Sequence, residues 1–232
     1  MLLLGAAWAG WTLTPMPIGD YSSDHGWGYG GFAQALRTPP GQDEETLRLG
    51  LQLFWSTGDF RDHWLKVDWT TSDTWRVEGV VGRRSWDFQP YFGVGTGPLQ
   101  AQVPENHYAT VLRGERVLLN LRRRLVGPWE LFGTAFLATG RVELYPDSLL
   151  QLQGADEGRY TALALGLILD SRDQLPSPSS GHLAELSVRG ASPWIGSQWS
   201  TVGINLTERS FLSLSDSLVL ATRVGLDLRW GE

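Results

Sequence analysis

Cysteine is absent from the 232 residues. That excludes a disulfide scaffold, a thiolate metal centre and a cysteine nucleophile. Charge is sparse as well: Asp, Glu, Lys and Arg make up 19% of the chain, below the roughly 25% of an average soluble domain. Nor is there a basic excess. The formal net charge is -6, which argues against a nucleic-acid partner, whose phosphates demand a basic face. No apolar run reaches the roughly 18 residues that a membrane-crossing helix needs, so a helical membrane protein is excluded. Histidine occurs only as His25, His63, His107 and His182, and no His, Asp and Glu cluster has metal-ligand spacing. What the chain does have is 28 glycines and 12 tryptophans. Its length suits one domain, or part of a larger one.

Residues 2–9 are apolar, and Ala7, Trp8 and Ala9 have the small-x-small form of a signal-peptidase site, although no basic segment precedes them. Residues 1–19 are therefore expected to be a signal remnant and lead. Pro15 and Pro17 stiffen this lead and end any helix before the first strand. The domain proper is expected over 20–232.

From Gly26 onward the period is two. Leu47, Leu49, Leu51, Leu53 and Trp55 share one face, against Arg48, Gly50, Gln52, Phe54 and Ser56. Leu65, Val67 and Trp69 oppose Lys66, Asp68 and Thr70; Val117, Leu119, Leu121 and Leu125 oppose Arg116, Asn120, Arg122 and Arg124. Leu163 to Leu169, Val202 to Leu206 and Leu218 to Trp230 repeat the pattern. Strict alternation marks strands with one apolar face. A soluble sandwich would bury that face, whereas a membrane barrel turns it to lipid and the polar face to its lumen. Three features favour the barrel. The runs are about 9 to 13 residues long, as a tilted membrane strand requires. The apolar face is nearly pure Leu and Val, with Trp55, Trp69 and Trp230 near the ends, where an interfacial girdle sits. The polar face mixes both signs of charge with glycine, as a lumen allows. Short turns at 57–60 and 71–73, a polar link at 39–45 and longer stretches at 97–106 and 146–158 fit the two unlike ends of such a barrel. The reading is all-β: an antiparallel transmembrane β-barrel of outer-membrane type, with about ten strands.

One segment stands out. Asp170-Ser171-Arg172-Asp173 closes a leucine-alternating strand, and Pro178 and Gly181 then restart the next one. Parity places Asp170 and Arg172 on the polar face, where each can partner the other or a neighbouring strand. With Ser171 in place of Thr, this string resembles the D-T-R-D…P-x-x-G hairpin of the Omp85 superfamily, the BamA/TamA-like bacterial surface antigen barrels. Tyr21-Ser22 followed by Gly26-Trp27-Gly28-Tyr29-Gly30 is similar to the opening strand of that family's short, POTRA-less members. Tyr91-Phe92-Gly93-Val94-Gly95 is similar to an internal F-Y-G-x-G segment. Together the likeness runs over about residues 15–232.

The resemblance implies about ten of an expected sixteen strands. The family's R-G-[FY] lumen loop should follow Trp230, yet Arg113-Gly114-Glu115 and Arg189-Gly190-Ala191 lack the aromatic. The expectation is a chain truncated at its C-terminus; the alternatives are a small complete barrel, or a partial wall that closes as a homo-oligomer, since open edges in lipid are costly. The resemblance further implies a bacterial outer-membrane location (or an organelle envelope of bacterial origin), outer-membrane lipid and unfolded outer-membrane proteins as partners, and a role in protein assembly or translocation. A passive pore is the alternative. Gly26, Gly28, Gly30 and Gly31 would form one side of a weak seam between first and last strands.

No cofactor is expected, and no catalytic constellation is legible. Ser22, Ser23, Asp24 and His25 are contiguous, and neighbours in a turn rarely converge as a triad must. A G-x-S-x-G elbow is missing, which leaves a barrel-resident lipid hydrolase as the distant alternative. The glycines at 93–97 follow a β run with no helix behind them, so a strand-end bend is the better reading than a phosphate loop.

Overall fold

The computed structural model describes residues 6–8, 10–23, 25–41, 45–90, 109–144, 157–174, 177–215 and 218–231. They form twelve strands: β1 (Ala6–Trp8), β2 (Trp11–Ser22), β3 (Gly26–Arg37), β4 (Leu47–Ser56), β5 (Phe60–Ser72), β6 (Trp75–Pro90), β7 (Ala109–Arg124), β8 (Trp129–Leu144), β9 (Glu157–Asp170), β10 (Gly181–Ala191), β11 (Thr201–Ser215) and β12 (Leu218–Gly231). A 3-10 turn at Pro193–Ile195 joins β10 to β11. The strands make one sheet in sequence order, and the registered pairs are antiparallel. This is the all-β antiparallel meander of an outer-membrane-type barrel. Among the described residues, no pairing leads from β12 back to β1 or β2.

Two strands precede the one expected to be first. Residues 11–19, read from sequence as part of a lead, belong to β2, which pairs with β3 along its whole length from Trp11↔Arg37 to Ser22↔Gly26. Prolines hid it, because proline cannot donate to a ladder. Here the ladder does not ask them to. Gly10 and Thr38 close the β2–β3 ladder through a bond from the Thr38 N–H to the Gly10 carbonyl. Alternation then turns the even-numbered residues of β2 toward β3 and the odd ones away. Pro15 and Pro17 thus lack donors only on the side facing away from β3. Of the apolar segment 2–9, only Ala6–Trp8 falls within the described residues. Residues 91–95, the glycines at 93–97, the loops at 97–106 and 146–156, Asp24 and His107 lie outside them.

The two faces of the sheet are inverted relative to a soluble protein. Leu163 and Leu165 on β9 are 49% and 62% exposed, and Val117, Leu119 and Leu121 on β7 are exposed as well. The residues between them are covered: Ala162 and Ile168 on β9 are buried, and so is Asn120 on β7. Water would not tolerate such an aliphatic surface, since contiguous apolar patches of that kind mark an interface with lipid or protein.

The chain folds as two compact units. One comprises Met1–Asp68, Gly79–Val117 and Ala138–Arg159. Its covered face holds Phe54, which is edge-on to Phe60, while Phe60 packs against His25 and Trp86. The other comprises Trp69–Glu78, Leu118–Leu137 and Tyr160–Glu232. Its covered face holds Phe132, Ala162, Ile168 and Ala191. There Asn120 donates to the Thr134 hydroxyl at 2.7 Å. Arg189 of β10 reaches Asp227 of β12 at 2.6 Å, over Gly203 of the intervening β11.

Candidate functional site

The Asp170–Gly181 string is one hairpin. Arg172 donates from Nε and Nη2 to the two oxygens of Asp170, at 2.8 and 2.6 Å, so the pair is bidentate and local rather than cross-strand. That hydrogen-bonded partner holds the Arg172 guanidinium above its usual range. Asp173 organises the loop. Its Oδ1 accepts the N–H groups of Gln174 and Ser179, at 2.9 and 3.0 Å, and its Oδ2 accepts the Ser179 hydroxyl. The Ser179 hydroxyl, followed by the backbone N–H groups, lowers the Asp173 carboxyl to about 2. Ser171 bridges the strand ends: its hydroxyl accepts the His182 N–H at 3.1 Å, and its own N–H donates to the His182 carbonyl at 2.8 Å. Serine supplies the same hydroxyl as threonine would, so the departure from D-T-R-D keeps this bond available.

Gly181 has φ 99°, and a Cβ there would lie 2.3 Å from the Ser171 carbonyl oxygen. Both conditions demand glycine. Ser213 of β11 donates to the Ser179 carbonyl at 3.0 Å and ties the loop to the next hairpin. Pro178 lies in the same connection; Leu175 and Pro176 are outside the described residues. Thus the structure brings Asp170, Arg172, Asp173 and Gly181 together in one folded turn, and Asp170, Arg172 and Asp173 border a depression shared with Arg124 and Glu130.

The glycines expected to form a weak first strand have a different setting. Gly26, Gly28, Gly30 and Gly31 lie on β3, third in the sheet order and paired on both sides, with β2 and β4. Among the described residues they do not border a seam. Gly28 is a socket: a Cβ there would stand 2.3 Å from Phe54 Cζ and 2.1 Å from Asp20 Oδ1. Gly166 plays the same part for Phe132, with ring carbons at 2.6 Å from a notional Cβ. Gly30 faces the β4 backbone at Leu53, Gly26 meets the Thr57 hydroxyl, and Gly31 meets only the Met16 carbonyl at 4.0 Å.

An ion-pair node on β5 was missed. Asp62 is 7% exposed. It accepts from Arg84 Nε and Nη2, both at 3.2 Å, and from Arg116 Nη2 at 3.3 Å, which links β5, β6 and β7. Parity alone would have put Asp62 on the polar face opposite Leu65; what parity lacks is the register that selects its partners.

Among the described residues, His25 and His182 have carboxylate neighbours. His25 lies 4.0 Å from Asp20 and stacks on Phe60. His182 meets Glu208 and Ser210 at 3.2 Å, but both through Nδ1, while Ser210 donates directly to Glu208 at 2.7 Å. A triad needs the two ring nitrogens to serve different partners. This group is cross-strand pairing. Among the described residues no His, Asp and Glu cluster could hold a metal ion.

The architecture defines the class: an antiparallel β-sheet of transmembrane-barrel type. It is similar to the crystal structure of BamA from Haemophilus ducreyi lacking POTRA domains 1-3, with a TM-score of 0.60 and 15% sequence identity. That likeness, which is one of fold, covers 97% of this chain and 42% of the BamA chain, so the chain spans less than half the length of that structure. No family model matches the chain, and no curated protein does.

Proposed function

We propose that the protein is an outer-membrane β-barrel of Omp85 type that assists the assembly or translocation of other outer-membrane proteins. The observation that carries the reading is the inverted sheet, with leucine and valine exposed and Asp62, Asp68, Thr110 and Asn120 covered, in strands that follow the BamA fold. The D-S-R-D…P-S-S-G hairpin supports it, because its hydroxyl, carboxylates and glycine each hold the turn. Its Asp170, Arg172, Asp173, Pro178 and Gly181 are structural residues of a barrel wall, and its partners are membrane lipid and unfolded barrel chains. No catalytic step is part of the reading.

The test is refolding the chain into neutral phosphatidylcholine vesicles. Heat-modifiable gel mobility and protease resistance report insertion; folding of a second, unassisted barrel protein in the same vesicles reports assembly. Faster folding of that protein than in empty vesicles is the expected result. Insertion with steady conductance and no acceleration would replace the reading by that of a passive pore.

A further inference from the structure

The exposed apolar face of the first unit changes character along its strands. On β5 to β7, the face that carries Leu65, Val81 and Val117 continues into Arg61, Arg83 and Arg113, and Arg141 of β8 is exposed as well. Arg61, Arg113 and Arg141 lie toward the connections 57–59, 91–108 and 145–156, and Arg83, at the middle of β6, shares a depression with Arg61 and Arg113. Connections after even-numbered strands cover 23–25, 57–59, 91–108, 145–156 and 192–200; those after odd-numbered strands cover 9–10, 38–46, 73–74, 125–128, 171–180 and 216–217. The longest belong to the first set, and in outer-membrane barrels long loops mark the outer surface. Tyr21, Trp27, Tyr29 and Trp55 stand on the same exposed face near the same end, with Tyr21 beside Trp27 at 5.1 Å and Trp55 beside His63 at 4.8 Å. Aromatic residues gather at headgroup depth.

Arg61, His63, Arg83, Ser85, Asp87 and Arg113 line a depression of about 380 Å³ there. Three guanidinium groups thus face one carboxylate. Their ion pairs are long: Arg61 to Asp59 3.8 Å, Arg83 to Glu115 3.8 Å, Arg113 to Asp87 3.6 Å and to Glu143 3.9 Å, whereas Arg141 pairs more closely with Glu143, at 3.3 Å. On the covered face the Asp62 pairs close to 3.2 and 3.3 Å. At the longer separations the carboxylates steady the guanidinium groups without forming the forked hydrogen bonds that saturate them. Cations on the lipid side, at headgroup depth and beside long loops, match the anionic headgroups of a membrane surface.

We propose that this belt docks the phosphate groups of a phosphorylated glycolipid in the leaflet beside the long connections. The proposal rests on the barrel reading above. Guanidinium and phosphate meet as a two-pronged hydrogen-bonded pair, and Asp87, Glu115 and Glu143 keep the arginines extended until a headgroup arrives.

The probe is lipid A, offered to the refolded full chain in phosphatidylcholine nanodiscs, with retention read by native mass spectrometry. Wild type is expected to retain lipid A, and the R83Q/R113Q variant to retain about tenfold less. R37Q, altered at the opposite end of the exposed face, should match wild type, and R83K/R113K should fall between, because it keeps charge and loses the fork. Equal retention by R83Q/R113Q, equal retention of lipid A stripped of both phosphates, or complete release by inorganic phosphate would each overturn the proposal. Heat-modifiable mobility in neutral lipid checks that every variant has folded. A wild-type chain that never enters neutral lipid overturns the barrel reading together with this one; a chain that enters it and ignores lipid A overturns this one alone.

Discussion

At the scale of single residues, glycine does different work at positions that look alike in the sequence. Gly28→Ala should drive a methyl into the Phe54 ring and Gly166→Ala into Phe132, each costing about 1–3 kcal/mol, as overpacking does. Gly31→Ala, with its nearest atom at 4.0 Å, should stay within about 0.5 kcal/mol of wild type. Urea unfolding in vesicles, followed by tryptophan emission, distinguishes the three. Asp173 offers a pH handle. Its folded carboxyl sits at about 2 against an ordinary 3.8. A lowered acid stabilises the fold above its ordinary value, and that contribution is lost as pH falls through the lowered one. The stability of wild type relative to D173N, read by urea unfolding at each pH, should therefore be constant above about pH 4 and fall toward about pH 2. The sequence showed that these residues belonged to one motif. It did not show the Ser179 hydroxyl as the largest cause of the shift, because that bond depends on how the loop closes.

At the scale of elements, period two placed β4, β7, β9, β11 and β12 because each alternates Leu or Val with polar or small residues. It failed at β2, where Pro15 and Pro17 read as breakers, and at β1, which is three residues long. The gap was one of register: alternation gives the face of a residue and not its neighbour. That is why Asp62 could be assigned a side and not the company of Arg84 and Arg116. Removing the carboxylate by Asp62→Ala leaves two partly exposed guanidinium groups facing each other, a change worth about 1–3 kcal/mol after allowing for solvent screening. A double-mutant cycle with Arg84→Ala should return a coupling between the two sites, and additive losses would mean the node is idle.

For the molecule as a whole, the inverted faces make a directional forecast. Leu119→Arg, in the middle of the exposed band, should cost about 2–4 kcal/mol in a bilayer, whereas changes on the lumen side alter the interior and spare insertion. Refolding yield in vesicles for Leu119→Arg beside Asn120→Ser is the comparison, and equal losses would contradict the assignment of faces. One further consequence follows from β2. Among the described residues, β1 covers β2 on its side away from β3 only at Trp11 and Leu13, and the next two odd positions are prolines. A strand laid against that margin would meet carbonyl acceptors throughout but would find amide donors only at Gly19 and Tyr21. Zippering there would have a preferred starting point and a built-in stall, so the margin has a grain, and a chain approaching it would begin pairing from the Tyr21 side.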